Sequence, residues 1–323
     1  MYENRTLGEM LGDKRIARIA KEAVRNWDLS GEDFWDKTLS EIREKRIFSG
    51  DLDAGFVRLY KAADTDSWYY PLYSEAEIQE CPARSGTNIV WLPSEEEGAD
   101  ERPFILLIPG GGFVNVWNLT EGWPIAAQFN RLGHHVCILT YQVDGDELLE
   151  REMQDIARAL HTVKEHSLAD ADKYITCGFS AGGYLVCLWN TIKGYPAFDL
   201  SKPRASFPIY PVTGLRWDDE GEPDEEEKAL IQRLCGCGID EAVKSVYETT
   251  EHVEHFPPCA LFLAGDDGLV SPDNSKELAR SLEEKGIPCR LEIGEQGGHG
   301  FGDGTDMCMS GWIERAVDWY RSL

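Results

Sequence analysis

The chain has 323 residues, enough for one large domain, and a fold of this size buries about three-quarters of the surface of the unfolded chain. Its 58 acidic and 32 basic residues give a formal net charge of −26, which argues against nucleic acid and anionic membranes as partners. The first residues show no signal-peptide pattern and the sequence has no run of 18 apolar residues, so we expect a cytoplasmic protein without membrane contact.

Residues 1–85 are expected to form a small helical N-terminal extension and a connector. A first helix is indicated by apolar residues at helical spacing, namely Ile16, Ile19, Ala20 and Val24. A second helix is indicated by Leu39, Ile42, Ile47 and Phe48, and residues 6–10 are echoed by residues 38–42. Because two short helices bury little apolar surface alone, we expect them to pack on the main domain or on a second copy in a homo-oligomer. Their role is either that of a lid or dimer arm or that of a stabilising appendage. The aromatic stretch 64–73 is expected to be the connector.

The main domain is expected at residues 86–323, where strands alternate with helices. The predicted strands are residues 88–92, 104–108, 136–141, 174–177, 204–210, 259–264 and 289–293. The predicted helices are residues 125–132, 150–166, 184–189, 275–285 and 310–323, and a further helix begins near residue 229. This alternation predicts an α/β fold with a mostly parallel sheet and helices on both of its faces.

A sharp turn between a strand and a helix is indicated by Gly178-Phe179-Ser180-Ala181-Gly182. Glycines on both sides of the serine let the chain turn tightly, so that the hydroxyl stands clear of the sheet, as in a nucleophile elbow. A serine hydroxyl is a weak nucleophile without a base, and the base needs a group that orients it. The pattern therefore predicts an acid and a histidine further along the chain.

The candidate base is His299, which lies in a glycine-rich loop after the last predicted strand. The other histidines after the elbow, His252 and His255, lie in a polar stretch and are assigned to the surface. The candidate acids are Asp266 and Asp267, because catalytic groups of open α/β sheets lie at the carboxyl ends of strands. One of the two is expected to orient the imidazole and the other to shape the turn.

Three glycines, Gly110, Gly111 and Gly112, follow the strand predicted at residues 104–108. Glycines let backbone N–H groups approach a substrate closely, and such groups stabilise the oxyanion of an acyl transfer reaction. A phosphate-binding loop is the competing interpretation, but the Gly-Lys-Ser/Thr sequence of that loop is absent. The order of glycine loop, serine, aspartate and histidine along the chain favours a serine hydrolase.

With these motifs the chain resembles the esterase/lipase branch of the α/β-hydrolases, which includes bacterial acetylxylan-esterase-like and feruloyl-esterase-like enzymes. The resemblance covers residues 88–323. It rests on residues 109–113, 120–126, 139–141, 178–183, 209–212, 267 with 270, and 298–301. It implies the α/β-hydrolase fold for the main domain.

The resemblance also implies a role for individual residues. Ser180 is the nucleophile, His299 the base and Asp267 the acid, since the family's acid stands three residues before a valine, here Val270. The implied oxyanion donors are Gly111 or Gly112, and Ala181. The stretch 264–266 is shorter than in the family, which keeps Asp266 as the alternative acid.

The tryptophans, ten in number, suggest a substrate class. Trp117 and Trp123 follow the glycine loop and Trp217 follows the strand at 204–210, so these three indoles are candidates for stacking on a sugar. Filling the core is the competing role for each of them.

The sequence thus predicts a serine carboxylic-ester hydrolase that removes a short acyl group, acetyl in the first place, from a sugar or oligosaccharide. The alternatives are a formamidase-like or aminopeptidase-like amidase with the same triad, and a non-catalytic ligand-binding protein of this fold. No cofactor is expected, and no metal, because the Cys235-Gly236-Cys237 spacing is not that of a zinc site. The odd number of nine cysteines is typical of free thiols in a reducing compartment.

Overall fold

A mixed sheet forms the centre of the computed structural model, which describes residues 1–24, 34–215 and 224–323. Its strands are β1 (Tyr69–Pro71), β2 (Asn88–Leu92), β3 (Phe104–Ile108), β4 (Val136–Thr140), β5 (Tyr174–Phe179), β6 (Ser206–Ile209), β7 (Cys259–Ala264) and β8 (Cys289–Gly294). They lie in the order β1-β2-β4-β3-β5-β6-β7-β8. β2 pairs antiparallel with β1 and β4, and the other neighbouring strands pair in parallel. The predicted mostly parallel sheet is confirmed.

Helices surround this sheet. They are α1 (Leu7–Leu11), α2 (Ala17–Ala20), α3 (Leu39–Glu44), α4 (Leu52–Ala63), α5 (Glu75–Glu80), α6 (Trp123–Arg131), α7 (Leu148–Glu165), α8 (Ser180–Trp189), α9 (Glu225–Cys235), α10 (Ile239–Ala242), α11 (Asp273–Glu284) and α12 (Trp312–Arg321). Single helical turns lie at Glu22–Val24, Pro82–Arg84, Ala99–Glu101, Asn118–Gly122, Tyr195–Phe198, Thr249–Glu251 and Val253–His255. Among the described residues, none of the helices combines the length and the apolar composition that crossing a bilayer requires.

The central strands are buried on both faces, which is why their sequences are mostly apolar. In β3, Ile105 and Leu107 belong to an apolar cluster that includes residues of α4, α6 and α12. Phe104 and Leu106 belong to a second cluster, with residues of α7 and α8. Successive side chains of a strand point to opposite faces, so the two clusters lie on the two sides of the sheet. The predicted helices on both faces are therefore confirmed.

The ends of several elements differ from the prediction for local reasons. α9 begins at Glu225 rather than near residue 229, because the Asp224 carboxylate accepts hydrogen bonds from the N–H groups of Glu226 and Glu227 and caps the helix. α12 begins at Trp312 rather than at residue 310, because Gly311 adopts a left-handed conformation. Trp217 and the first part of the acidic stretch 218–228 lie outside the described residues.

The echo between residues 6–10 and 38–42 consists of two equivalent helix starts. Thr6 and Glu9 form a capping box at α1, and Thr38 and Glu41 form the same box at α3. The two caps lie side by side, because Thr6 and Thr38 form an antiparallel bridge. The short helices α1 and α3 are thus joined at their N-terminal ends.

The N-terminal extension packs on the main domain through α4, a helix that was not predicted. The Phe56 ring of α4 lies 5.5 Å from the Trp123 ring of α6, and the Arg58 Nε donates to Asn130 Oδ1 at 3.0 Å. Tyr60 of α4 also donates its hydroxyl proton to a backbone oxygen of α1, at 2.6 Å. Packing on the main domain was one of the two expected arrangements of the extension. The stretch 64–73, expected to be a connector, contributes the edge strand β1.

Candidate active site

The turn between β5 and α8 has the geometry of a nucleophile elbow. Ser180 is the first residue of α8 and has a φ of 50°, a left-handed conformation that costs an ordinary residue about 1–2 kcal/mol. The turn is so tight that a Cβ at Gly178 would overlap the carbonyl oxygen of Gly182, and a Cβ at Gly182 would overlap that of Ile108. The flanking glycines are therefore required by contact, and the packed turn holds the serine in its strained conformation.

Ser180, His299 and Asp267 form one hydrogen-bonded chain. The Ser180 Oγ lies 2.8 Å from His299 Nε2, and the His299 Nδ1 lies 2.7 Å from Asp267 Oδ2. The side chain of Asp267 is almost fully buried, whereas that of His299 is 15% exposed. The imidazole thus has an acceptor on one nitrogen and the serine hydroxyl on the other, which is the arrangement that proton removal from the serine requires.

The two candidate acids, Asp266 and Asp267, have different hydrogen-bond partners in the structure. Asp267 reaches the imidazole, while the Asp266 Oδ1 accepts the N–H groups of Gly297 and Gly298, each at 2.8 Å. Asp266 therefore fixes the loop that carries His299, and Asp267 orients its ring. Both contacts depend on the end of β7, because a single residue, Gly265, separates the strand from the two aspartates.

Asp267 is held in its ionised form. Burial raises the pKa of this carboxyl, but the hydrogen bond and charge of His299, together with the N–H groups of Val270 and Leu269, outweigh burial. The pKa of Asp267 therefore lies below its ordinary value. An ionised carboxylate at this position accepts the Nδ1 proton and leaves Nε2 free to accept the serine proton.

The glycine loop after β3 lies beside the serine. Gly111 and Gly112 have φ angles of 138° and 61° and line the same cavity as Ser180. Gly110 is different, because its N–H donates to Glu121 Oε2 at 2.7 Å and is thereby occupied. Ala181 follows Ser180 at the N-terminal end of α8, where backbone N–H groups have no partner inside the helix. The backbone N–H groups of Gly111, Gly112 and Ala181 are thus the candidates for an oxyanion hole.

A buried glutamate that was not recognised as a site residue in the sequence links the glycine loop to the histidine loop. One Glu121 oxygen accepts the Gly110 N–H and the other accepts the Tyr210 hydroxyl at 2.8 Å. The Tyr210 oxygen in turn accepts the Gly302 N–H at 3.3 Å, and its ring packs edge-on at 4.9 Å from the His299 ring. Burial raises the pKa of Glu121, against these hydrogen bonds and the charge of His299. The one signal in the sequence is that Glu121 lies in the stretch 120–126, which contributes to the family resemblance.

We expect Glu121→Ala to lower the free energy of unfolding by about 2–6 kcal/mol, since it leaves two buried donors unsatisfied at about 1–3 kcal/mol each. Glu121→Gln keeps one acceptor oxygen and should cost about half as much. Urea unfolding measures both values. Glu283→Ala, at an exposed position of α11, is the control and should change stability by less than about 0.5 kcal/mol. An unfolding midpoint of Glu121→Ala equal to that of the control would contradict the bridging role.

Ser180 and His299 open onto a cavity of about 500 Å³. The glycine loop and Trp117 form one side of it, and the N-terminal residues Ile47, Phe48 and Ser49 form part of another. A lid was one of the roles expected for the N-terminal extension, but the residues that would reach the site were not identified, because their site partners lie far away in the sequence. A larger hollow of about 660 Å³ lies between α3 and α4 and is not lined by the serine, the aspartate or the histidine.

The three candidate tryptophans have different locations. Trp117 lines the cavity, and its role in binding a substrate stays a prediction. Trp123 does not line the cavity: it is 1% exposed and packs against Phe56, so the prediction that it binds substrate is wrong. The physical reason is that α4 covers its ring. Trp217 lies outside the described residues.

The sequence model of a family described as an alpha/beta hydrolase fold matches residues 105–303, more than half of the chain. The chain belongs to this α/β-hydrolase family. The matched residues include the glycine loop, the elbow and the histidine loop. The fold that the sequence implied is therefore confirmed.

Two curated relatives are each 26% identical to this α/β-hydrolase. Endo-1,4-beta-xylanase B of Butyrivibrio fibrisolvens matches over 350 aligned residues, 94% of this chain and 53% of the relative. Acetylxylan esterase of Xylanibacter ruminicola matches over 225 residues, 67% of this chain and 44% of the relative. The chain thus spans about half the length of the curated relatives it matches.

A solved structure covers most of the chain. The acetyl ester-xyloside bifunctional hydrolase of Caldicellulosiruptor lactoaceticus is 25% identical, with a TM-score of 0.64, and the match covers 79% of this chain and 95% of that one. The carboxylesterase Cest-2923 of Lactobacillus plantarum, 20% identical with a TM-score of 0.59 over 73% of this chain and 92% of that one, shares the fold.

Proposed function

We propose that this α/β-hydrolase is a serine carboxylic-ester hydrolase that removes a short acyl group, acetyl in the first place, from a sugar or oligosaccharide. The observation that carries the proposal is the unbroken hydrogen-bond chain from Ser180 through His299 to Asp267. The names of the relatives support the substrate class, since one is an acetylxylan esterase and another an acetyl ester-xyloside hydrolase.

In the proposed reaction His299 takes the proton of Ser180 while the serine oxygen attacks the ester carbonyl. The carbonyl oxygen becomes an oxyanion that the N–H groups of Gly111 or Gly112 and of Ala181 stabilise. His299 then gives its proton to the leaving alcohol, and the acyl group stays on Ser180. A water molecule, deprotonated by His299, releases the acid and restores the serine. Asp267 holds the ring orientation and stabilises its positive charge throughout.

The proposed catalytic domain is residues 86–323, and the extension 1–85 completes it. β1 extends the sheet at its edge, and Ile47, Phe48 and Ser49 contribute to the cavity of Ser180. Trp117, on the glycine-loop side of that cavity, is the proposed stacking surface for a sugar.

One panel of substrates tests the proposed reaction. It contains p-nitrophenyl acetate, acetylated xylo-oligosaccharides and an aminoacyl p-nitroanilide, all assayed with the same enzyme preparation. We expect hydrolysis of both acetyl esters and little of the anilide. Cleavage of the anilide without cleavage of the esters would favour the amidase or peptidase alternative. No cleavage of any member would contradict a hydrolase of this kind.

We expect acetyl esters to be hydrolysed at least about tenfold faster than octanoyl esters in kcat/KM, since strained or lost contacts of a few methylenes are worth roughly 1–3 kcal/mol. The reason is the wall beside the glycine loop, where the Trp117 ring and the carboxylate of Glu121 line the cavity and leave a long alkyl chain poorly matched. A series of p-nitrophenyl esters from two to eight carbons measures the profile. A maximum at eight carbons would favour a lipid esterase instead.

A further inference from the structure

A second, smaller cavity of about 240 Å³ adjoins the first on the side of His299. The two cavities share five lining residues, Ile47, Phe48, Ser49, His299 and Gly300. Ser180, Gly111 and Gly112 line the first cavity and do not line the second. A ligand that spans both cavities would therefore pass directly over the imidazole.

The position of the smaller cavity indicates which part of an ester it would bind. In the proposed reaction His299 protonates the leaving oxygen, so the alcohol must lie against the imidazole. The acyl group, bound to Ser180, lies on the side of the glycine loop. The smaller cavity, which borders His299 and not the glycine loop, is on the side of the leaving alcohol.

Two arginines in this cavity carry a charge opposite to that of the protein as a whole. Arg43 and Arg46 line it, in a chain whose formal net charge is −26, and the acidic residue among the lining residues is Asp306. Arg43 lies 3.6 Å from Asp306, and both side chains are more than half exposed, so the pair is weak. Within the described ranges the structure gives the Arg46 guanidinium no ion-pair partner.

The backbone at Arg46 supports a role for its side chain. Arg46 follows the end of α3 with a φ of 50°, a position where glycine is usual because it adopts the left-handed conformation without cost. An arginine there costs about 1 kcal/mol in backbone strain. A cationic side chain thus lines this cavity at a position where glycine would suit the turn better.

We propose that the smaller cavity is a subsite for a carboxylate on the leaving alcohol, held by Arg46 and Arg43. The inference rests on the proposed ester hydrolysis and narrows its substrate class to acetyl esters of acidic alcohols, such as a uronic acid sugar or a hydroxy acid. Guanidinium groups match the planar carboxylate with two parallel N–H donors, which makes arginine suited to this ligand.

Two matched pairs of acetyl esters test the subsite. 3-Acetoxybenzoate is compared with 3-acetoxybenzamide, and an acetylated methyl glucuronoside is compared with its C6 amide. Each pair has the same acyl group and differs in the charge of the alcohol. We expect the anionic member of at least one pair to be preferred about tenfold in kcat/KM, with higher preference at low salt. The pair with the larger ratio distinguishes a sugar acid from an aromatic hydroxy acid.

Arg46→Gln should reduce the anionic-to-neutral ratio at least about fivefold. Arg46→Gly should reduce the ratio equally without destabilising the turn, because glycine fits its conformation. Arg280→Gln, the same change of charge at an exposed position of α11, is the control and should leave the ratio as in the wild type. If Arg46 had only a structural role at the end of α3, Arg46→Gln would lower the stability of the protein and leave the anionic-to-neutral ratio of kcat/KM unchanged.

The outcomes separate the two proposals. Two results would overturn the subsite and leave the proposed ester hydrolysis intact. In the first, the anionic and neutral members of both pairs are hydrolysed with kcat/KM values in a ratio near one. In the second, this ratio is the same in the wild type and in both Arg46 variants. No hydrolysis of any of the four esters would contradict the proposed reaction, and the subsite with it.

Discussion

Ser180→Ala should reduce the turnover of p-nitrophenyl acetate by a factor of about 10³ or more, because only binding and the oxyanion donors remain. The loss is expected to appear in kcat rather than in KM. Alanine keeps the Cβ of serine and adds no atom at the left-handed elbow, so the flanking contacts of Gly178 and Gly182 are unchanged. The circular dichroism spectrum and the thermal midpoint should therefore match those of the wild type.

Ser281→Ala, on α11 and away from the cavity, is the matched control and should keep wild-type activity. If Ser180→Ala hydrolysed the ester at the wild-type rate, another group would be the nucleophile and the proposed mechanism would fail. A slow accumulation of acetyl-enzyme, detected by mass spectrometry in the wild type and missing in Ser180→Ala, would place the acyl group on this serine.

Asp267→Asn should lower kcat by a factor of about 10² to 10⁴, because an amide in this position favours the wrong tautomer of the imidazole. Asp266→Asn is its neighbour and natural control. The Asp266 oxygen accepts two backbone N–H groups, and the asparagine side chain keeps such an oxygen, so this change should cost about tenfold at most. Both values come from steady-state kinetics at one pH.

The reverse ranking would show that Asp266 is the acid in solution and that the loop carrying His299 takes another position. Small and equal losses would show that neither carboxylate orients the imidazole. Asp266→Ala tests the structural role of Asp266 separately. This change removes the oxygen that accepts the N–H groups of Gly297 and Gly298, so it should loosen the loop that carries His299.

The sheet could be predicted from the sequence because its central strands are buried on both faces. Residues 88–92, 104–108 and 259–264 were predicted with the bounds that the structure has, and the last two are unbroken apolar runs. The meeting of the serine, aspartate and histidine was predictable for a related reason. Each follows a parallel strand, and the carboxyl ends of such strands share one edge of the sheet.

Contacts between distant segments could not be predicted in the same way. The apolar positions of α4, Leu52, Phe56, Leu59 and Tyr60, have helical spacing, but nothing local indicates which surface they cover. The error over Trp123 follows from this, because the ring that follows the glycine loop in sequence lies beneath α4 in space. The bridging role of Glu121 could not be predicted for the same reason, since its partner Tyr210 is 89 residues away.

Hydrogen bonds between an N-terminal and a C-terminal segment of the chain bear on how the substrate selectivity of the site can change in evolution. The buried Asp303 carboxylate, close after the histidine loop, accepts both the N–H of Asp51 at 2.9 Å and the Gln128 amide at 2.6 Å. The segment that precedes Asp51 is thereby anchored across 252 sequence positions against the wall that carries His299. If the proposed subsite binds the alcohol, substitutions among residues 43–49 would alter which alcohols are accepted while the elbow, the acid and the base keep their sequence and geometry. Selectivity for the alcohol and the chemistry of the ester bond would then be encoded in separate stretches of one chain, and could diverge independently.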